Sequence, residues 1–191
     1  DPNGELLSLS TDAEVKYNHS IQYMIYSDES RDHPAEGRID ADALMGKALA
    51  LAAQARDADE VPVGAVVVLG DRIVGRGFNH PRGAGDPTAH AEIMAIRDAA
   101  RTVGNYRLTG ATLVVTIEPC LMCVGALVHA RIGTLIYGAP EPRTGAVAST
   151  VRAGDLPGHN HRFAVVAGIR EDECRALMQA FFRQRRQTTP D

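Results

Sequence analysis

The sequence predicts an α/β fold, a three-layer α/β/α arrangement around a mixed five-stranded sheet. Two observations lead to this fold class. Short strand-like segments alternate with longer segments whose apolar residues recur at helical spacing. In addition, the first two strand-like segments are separated only by Gly70-Asp71, a typical hairpin turn. An opening hairpin followed by alternating helices and strands indicates a mixed sheet that helices cover on both faces.

The N-terminal part of the chain differs in composition from the rest. The chain has 191 residues, 45% of them hydrophobic, which is enough for one domain with a sizeable core. Residues 1–38 are acidic and lack a sustained periodicity apart from an apolar island at residues 21–26. We interpret them as an acidic N-terminal extension that is either flexible or docked through this island, and residues 39–191 as the domain.

The first half of the domain consists of a helix, the hairpin and a second helix. A helix over residues 40–57 is predicted by apolar side chains at helical spacing, namely Leu44, Ala48, Leu51 and Ala55. The hairpin strands are Val61–Leu69 and Arg72–Asn79. Thr88 is then expected to cap the second helix, which extends to about Val103.

The second half of the domain alternates strands and helices around one long connection. Its predicted elements are a strand at Ala111–Ile117, a helix at Cys120–Arg131, a strand at Gly133–Gly138, a strand at Phe163–Ala167 and a helix at Glu171–Gln187. The connection at residues 139–162 is rich in Pro, Gly, Arg and His. Long loops within a compact domain are often functional, so this segment is a candidate part of a site.

The composition argues against some protein classes and favours one kind of partner. No apolar run approaches the roughly 18 residues of a membrane span, and no segment has the pattern of a signal peptide. Three cysteines, two of them in a C-x-x-C motif, do not suggest a secreted disulfide framework, so we expect a cytoplasmic protein. Of the 17 basic side chains in residues 43–191, 16 are arginine. Arginine suits phosphate and hints at RNA, although a GC-rich genome produces the same bias.

Two short motifs carry the chemistry of the sequence, His90-Ala91-Glu92 and Pro119-Cys120-Leu121-Met122-Cys123. Together they supply three metal-type ligands, His90, Cys120 and Cys123, and one carboxylate, Glu92, that need not bind the metal. Structural zinc sites normally take four protein ligands, whereas hydrolytic zinc sites take three and leave the fourth position for water. The motifs therefore predict one zinc ion in the site of an enzyme.

Helix geometry constrains how these residues reach one pocket. His90 and Glu92 differ by about 200° around a helix, so they share a pocket only if the N-terminus of that helix points into it. Pro119 suits the first turn of the next helix, where free N–H groups favour the thiolate of Cys120. Cys123 then follows one turn later on the same face. Glu92 is placed to take a proton from a zinc-bound water and pass it to a substrate.

The residues alone leave some alternatives open. A C-x-x-C motif by itself is also typical of a redox pair or of two core cysteines. Cys174 is either a packed thiol or a fourth, structural ligand, which would exclude hydrolysis. Glu118 is expected to belong to a strand end and to shape the site. A non-catalytic zinc module that binds RNA or a protein partner is the alternative to an enzyme.

The two motifs together are the signature of the cytidine deaminase-like superfamily. The flanking sequence resembles the bacterial tRNA-specific adenosine deaminases over about residues 43–187, in the segments 60–65, 86–94, 105–108, 118–120, 143–145, 160–162 and 181–183. The resemblance implies a cytidine deaminase-like fold and a homodimer. It also implies hydrolytic deamination of adenosine to inosine at the wobble position of a tRNA anticodon loop, by a zinc-bound hydroxide with Glu92 as the proton carrier. An enzyme of the same fold that acts on a free base or nucleoside is the closest alternative.

The same resemblance implies roles for individual residues. His90, Cys120 and Cys123 match the ligands of one zinc per chain. The residues implied in substrate binding are Asn79 at the base with the Ala91 backbone beside it, Glu60 and Val61 at the pocket wall, and Phe181, Phe182, Arg183, Arg185 and Arg186 on a C-terminal helix that meets the anticodon stem-loop. Glu141 stands where the family usually has Asp in a loop near the RNA, and residues 1–38 have no counterpart.

Overall fold

A mixed five-stranded β-sheet lies at the centre of the structure, a computed structural model that describes residues 39–188. Its strands are β1 (Gly64–Leu69), β2 (Arg72–Phe78), β3 (Thr112–Ile117), β4 (Thr134–Ala139) and β5 (Ala164–Ala167). They lie in the order β2-β1-β3-β4-β5, with β1 antiparallel to β2 and β3, and with β3, β4 and β5 parallel. The predicted mixed sheet is confirmed, and the predicted N-terminal extension, residues 1–38, lies outside the described residues.

Helices pack on the sheet in two layers. They are α1 (Ala41–Asp57), α2 (Pro81–Ala84), α3 (Ala91–Val103), α4 (Leu121–Ala130) and α5 (Glu171–Thr188). α1 packs on β1 and β3, α5 packs on β3 and β4, and these two helices contact each other. α3 packs on β1 and β2 and contacts α4. None of the helices in the described part of the chain is long and apolar enough to cross a membrane.

Two glycines show how closely the helices approach the two faces of the sheet. A Cβ on Gly64 would lie 2.1 Å from the carbonyl oxygen of Ala48 in α1, and one on Gly77 would lie 2.3 Å from that of Ala91 in α3. Gly77 pairs with Ala65, the neighbour of Gly64, so the two glycines point to opposite faces. The hairpin is therefore held between α1 and α3, and the first turn of α3 is fixed against the end of β2.

The core runs through both faces of the sheet. All six residues of β3 are buried, and α1 buries Met45, Ala48, Ala52 and Ala55. The other two positions of its predicted apolar stripe, Leu44 and Leu51, are partly buried against the same core. Alanine at three of the four buried positions gives α1 the small surface that its close approach to Gly64 requires.

The structure corrects the predicted starts of α3 and α4. α3 is capped by His90 and not by Thr88, because the Thr88 amide and hydroxyl donate to Asp86 Oδ1, at 2.8 and 2.7 Å, in a separate turn. Pro119 does not lie in the first turn of α4, since Cys120 is the capping residue of that helix. Both motifs thus place their first metal-type ligand at the start of a helix.

The segments before β1 and after β2 also differ from the prediction. Val61 lies in the connection between α1 and β1, where the Val63 amide donates to the Val61 carbonyl at 2.8 Å. The one-turn helix α2 was not predicted. Pro81 begins it with a fixed φ, and Gly85 ends it with a φ of 59°. These two segments lie next to each other beside the site described below.

Candidate metal centre

The order and direction of the strands bring the two motifs to one edge of the sheet. β2 and β3 run in the same direction because both are antiparallel to β1. The segments that follow them therefore leave from the same edge, and they lead to α3 and α4, which contact each other. The N-termini of these two helices carry the two motifs, as the geometry of His90 and Glu92 required.

The three metal-type ligands form a nearly equilateral triangle. His90 Nδ1 lies 3.6 Å from the sulfur of Cys120 and 3.6 Å from that of Cys123, and the two sulfurs are 3.6 Å apart. Among the described residues, this is the group of His, Cys, Asp and Glu side chains that could hold a metal ion. His90 and Cys120 are half-buried and Cys123 is buried, so the triangle is only partly shielded from solvent.

These distances fit a tetrahedral zinc ion. Zinc bonds of about 2.3 Å to sulfur and about 2.0 Å to nitrogen place tetrahedral ligand atoms about 3.5 to 3.8 Å apart. A disulfide would require a sulfur separation of about 2.0 Å, so Cys120 and Cys123 are two thiols that share a site. The ligand set, two thiols and one imidazole, is one that zinc prefers.

The two thiols share a proton unequally. Hydrogen bonds from Cys123 and His90 lower the pKa of Cys120 to about 4, and free N–H groups at the start of α4 favour the same thiolate. The hydrogen bond with Cys120, together with burial, raises the pKa of Cys123. A hydrogen bond with Cys120 also raises the pKa of His90. A divalent cation in the triangle would replace these protons and hold both cysteines as thiolates.

Glu92 is a buried carboxyl group within two residues of His90. It lies in the first turn of α3, and its relative exposure is only 4%. Burial raises the pKa of this carboxyl above its ordinary value, against the opposing effect of His90. A carboxyl group whose pKa is raised holds its proton more readily than an ordinary one, which suits a general acid and base.

Asn79 and the backbone of Ala91 are joined directly. The Ala91 amide, at the start of α3, donates to Asn79 Oδ1 at 2.9 Å, and Asn79 is almost completely buried. Because the side-chain oxygen accepts from Ala91, the amide NH₂ of Asn79 is the group left to donate to a ligand. The structure thus brings these two residues into contact, and their role in substrate binding stays a prediction.

Glu118 fixes the long connection between β4 and β5 beside Cys120. Its buried carboxylate accepts five hydrogen bonds from this connection: Oε1 from the amides of Val147, Ala148 and Ser149, and Oε2 from the amide of Glu141 and the hydroxyl of Ser149. Burial alone would raise the pKa of Glu118, but these hydrogen bonds, led by that of Ser149, lower it. The expectation that Glu118 shapes the site has a structural basis in these contacts.

Glu141 lies at the start of the same connection, and its carboxylate accepts a hydrogen bond from a residue of the same turn. The Arg143 amide donates to Glu141 Oε1 at 2.9 Å, and the Gly145 amide donates to the Glu141 carbonyl at 2.8 Å. Gly145 in turn forms a β-bridge with Cys120. The turn that contains Glu141 is therefore attached to the start of α4.

Glu60 and Val61 lie in the connection before β1, next to α2. Glu60 is buried, and its Oε1 accepts from the Gly83 amide at 2.8 Å. The ring of His80 lies beside it, with Nδ1 at 3.7 Å from Oε1. Because α2 follows Asn79 almost directly, this contact joins the predicted pocket wall to Asn79, the residue predicted to bind the base.

The remaining predicted residues lie on the C-terminal helix α5, where some are buried and others are exposed. Phe181 is buried, whereas Phe182 has a relative exposure of 43% and Arg183 is exposed. Cys174 is buried on the same helix, where its Sγ would lie 2.4 Å from a Cβ on Gly138, and burial raises its pKa to about 11. Cys174 is thus a packed thiol and not a member of the ligand triangle.

Three contacts at the site were not predicted. The sequence does not indicate that Arg82 and Arg185 donate hydrogen bonds to Asp59, because these arginines are 23 and 126 positions away. It also does not indicate the pairing of Glu60 with Gly83. The only local signal is the Pro81 and Gly85 pair that bounds α2, which is typical of a short helical turn.

The sequence matches known proteins over most of the domain. Residues 39–139 match the family described as the cytidine and deoxycytidylate deaminase zinc-binding region. The chain is 45% identical over 145 residues to the tRNA-specific adenosine deaminase of Haemophilus influenzae, which covers 75% of this chain and 84% of that protein. It is 46% identical over 143 residues to the enzyme of the same name from Agrobacterium fabrum. That alignment covers 75% of this chain and 94% of the other protein.

A solved structure shows the same fold. It comes from a study of A-to-I editing by tRNA:A34 deaminases at the wobble position of transfer RNA. The superposition has a TM-score of 0.69 at 46% sequence identity, and it covers 71% of this chain and 98% of the other.

Proposed function

Because the chain belongs to the cytidine and deoxycytidylate deaminase family, in the group of the bacterial tRNA-specific adenosine deaminases, we propose that it deaminates adenosine to inosine at the wobble position of a tRNA anticodon loop. The observation that carries this proposal is the triangle of His90, Cys120 and Cys123 beside the buried carboxyl of Glu92. Three ligands leave one zinc position for a reactant, and the carboxyl supplies the proton transfer.

The residues have distinct tasks in the reaction. His90, Cys120 and Cys123 would hold one zinc, which makes a water molecule nucleophilic near neutral pH when it is bound. Glu92 accepts the proton of that water and delivers it to N1 of the adenine as the new C6–O bond forms. Glu92 then takes the proton of the hydroxyl now on C6 and passes it to the amino group, so that the C6–N bond breaks, C6 becomes a carbonyl carbon, and ammonia leaves.

Asn79 orients the base. Its oxygen is held by the Ala91 amide, so its NH₂ group donates to an acceptor of the purine ring. The contact also fixes the start of α3, which carries His90 and Glu92. A substitution at Asn79 therefore affects both base binding and the position of the catalytic carboxyl.

The exposed residues of α5 and of the connection after β4 suit an RNA loop. Phe182 is large, aromatic and 43% exposed, which allows a base to stack on it. Arg183 and Arg186 are exposed near it on α5, and Arg143 is exposed beside Glu141. An anticodon loop presents unpaired bases and closely spaced phosphates, which matches this mixture of aromatic and cationic side chains.

An exposed apolar surface between α3 and α4 supports a homodimer. Leu121 and Tyr106 have relative exposures of 59% and 65%, and a groove lined by Ile93, Ile96 and Met122 lies in the same region. Exposed apolar surface of this kind is typical of protein interfaces. We expect Leu121→Glu to convert a dimer into a monomer in size-exclusion chromatography with light scattering.

We also place the protein in the cytoplasm, where its thiols stay reduced.

The test compares two classes of substrate. Purified protein is incubated with an anticodon stem-loop that has adenosine at the wobble position, and separately with free adenosine, adenine, guanine and cytosine. We expect inosine only in the stem-loop, and Glu92→Ala should keep its zinc but lose turnover by several orders of magnitude. Deamination of only the free compounds would identify a nucleoside or base deaminase. Binding of the stem-loop by both the wild type and the variant, without deamination of any compound by either, would identify a non-catalytic zinc module.

A further inference from the structure

Arg185 differs from the neighbouring arginines of α5 in what it contacts. Its Nη2 donates to the carbonyl oxygen of Asp59 at 2.9 Å and lies 2.7 Å from Asp59 Oδ1. Its guanidinium also lies 5.3 Å from the centre of the Phe181 ring. Arg183 and Arg186 are exposed, whereas Arg185 is partly buried. Arg185 therefore faces the body of the protein.

The spacing along α5 explains this difference. Cys174, Met178, Phe181 and Arg185 follow each other at intervals of four, three and four residues, which places them on one face of the helix. The first three are buried or partly buried against the core, and Arg185 continues their line to the end of the domain. Phe182 and Arg186 lie together on an adjacent, exposed face.

Asp59 connects three parts of the structure through two arginines. It has a φ of 61° in the turn after α1, and Arg82 Nη1 donates to both its carbonyl oxygen and its Oδ2, each at 2.7 Å. The hydrogen bond from Arg82 is the main reason why the pKa of Asp59 is lowered, with Arg185 contributing. Arg82 lies in α2, so Asp59 joins α5, α2 and the connection before β1.

We propose that Asp59 and Arg185 are positioning residues for RNA. Their contact holds the last turns of α5 against the pocket wall at Glu60, so that the exposed face of α5 meets the stem-loop whose target base is bound at Asn79. The wall is joined to the base site in two steps, through the Gly83 amide on Glu60 and through α2, which begins two residues after Asn79. This role rests on the proposed function.

A direct contact between Arg185 and an RNA phosphate makes the opposite prediction for Asp59. If Arg185 bound phosphate, neutralising Asp59 would release a cation and remove a negative charge near a polyanion, and RNA binding would tighten. If Arg185 instead positions α5, neutralising Asp59 loosens the helix, and RNA binding weakens although a repulsive charge is gone. The sign of the change separates the two roles.

The experiment uses Asp59→Asn with Asp57→Asn as its matched control. Both side chains are similarly exposed, at 62% and 67%, but Asp57 pairs only with its neighbour Arg56 in the described contacts. We expect Asp59→Asn to raise KM for the anticodon stem-loop about three- to fivefold with kcat within about twofold of the wild type, the size of effect for one exposed ion pair. Asp57→Asn should leave KM unchanged or slightly lower.

Salt dependence and amide exchange complete the test. Arg183→Ala and Arg186→Ala should each lower the slope of log Kd against log salt by about one, whereas Arg185→Ala should leave it unchanged. Amide hydrogen exchange in residues 181–187 should rise in Asp59→Asn and not in Asp57→Asn.

This role would be overturned by a lower KM for Asp59→Asn, by a slope for Arg185→Ala that falls like that of Arg183→Ala, or by unchanged amide exchange. If the wild type forms inosine but the Asp59 and Asp57 variants behave alike, the positioning role fails and the proposed function stands. If the wild type neither binds nor deaminates the stem-loop, both fail.

Discussion

Replacing Glu118 with Gln tests how the connection after β4 is held beside the metal-type ligands. The carboxylate accepts five hydrogen bonds, three on Oε1 and two on Oε2. Gln has the same shape but only one acceptor oxygen, and its NH₂ group can only donate. If the oxygen of the introduced side chain takes the place of Oε1, the Glu141 amide faces another donor. If the introduced amide flips, three backbone N–H groups lose their acceptor.

The cost of this change follows from the number and charge of the bonds. A hydrogen bond to a charged group contributes about 1.5 to 3 kcal/mol, and a neutral one about half as much. In the better orientation of the amide, the bond from the Glu141 amide is lost, the three bonds on the remaining oxygen become neutral, and the Ser149 hydroxyl accepts from the new NH₂ group. These values sum to about 4 to 7 kcal/mol, and the lower cost of burying a neutral amide in place of a carboxylate offsets part of that sum. We therefore expect Glu118→Gln to lower the free energy of unfolding by about 3 kcal/mol or more.

Urea unfolding of the zinc-loaded proteins measures this difference, with Glu141→Gln as the control. The Glu141 carboxylate accepts from one backbone amide, that of Arg143, at a partly exposed position, so its replacement should cost less than about 1 kcal/mol. A loss below about 1 kcal/mol for Glu118→Gln, or an equal loss in both variants, would refute the account of Glu118 as the anchor of this connection.

Three further changes test other parts of the structure. Gly77→Ala should destabilise the protein by about 2 to 3 kcal/mol in urea unfolding, because the added Cβ would lie 2.3 Å from a backbone oxygen of α3. Gly125→Ala is the control and should be neutral or stabilising, because nothing lies within 4 Å of the added Cβ. Cys123→Ser should reduce bound zinc well below one per chain by metal analysis and remove deamination, and zinc bound at full stoichiometry would contradict its role as a ligand. The pKa of Asp86 is lowered, first by the hydrogen bond from Thr88, so its stabilising effect is present above the ordinary Asp pKa and is lost as the pH falls through the lowered value. Asp86→Asn should therefore reduce the acid dependence of the unfolding free energy below about pH 4, and an unchanged dependence would contradict this linkage.

The sequence predicts those parts of the site whose signal is local. His90 with Glu92, and Cys120 with Cys123, are each close in sequence, so helix geometry alone places them at two helix starts. The hairpin at Gly70-Asp71 fixes the directions of β1 and β2, and the order of the remaining elements then gives a mixed sheet. The ligand set itself is predicted from the two motifs, whereas the antiparallel pairing of β1 with β3, which brings the two helix starts to one edge of the sheet, is visible only in the structure.

Other features depend on contacts between residues that are far apart in sequence. The hydrogen bonds of Glu118 come from residues 23 to 31 positions later, and Arg185 reaches Asp59 across 126 residues. No periodicity or short motif reports such pairs. The predicted cap at Thr88 was wrong for a related reason: Asp86 competes for the hydroxyl and the amide of Thr88, and the helix begins after that turn is complete.

The ligand triangle also closes a loop in the chain. His90 and Cys120 are 30 residues apart, and the segment between them contains α3 and β3. A metal ion held by both residues binds the folded chain much more tightly than the unfolded one, because in the unfolded chain the ends of this loop would first have to be brought together. Metal binding and folding are then linked equilibria. The zinc supply of the cell would set how much of this protein is folded and survives proteolysis, in addition to how much of it is active.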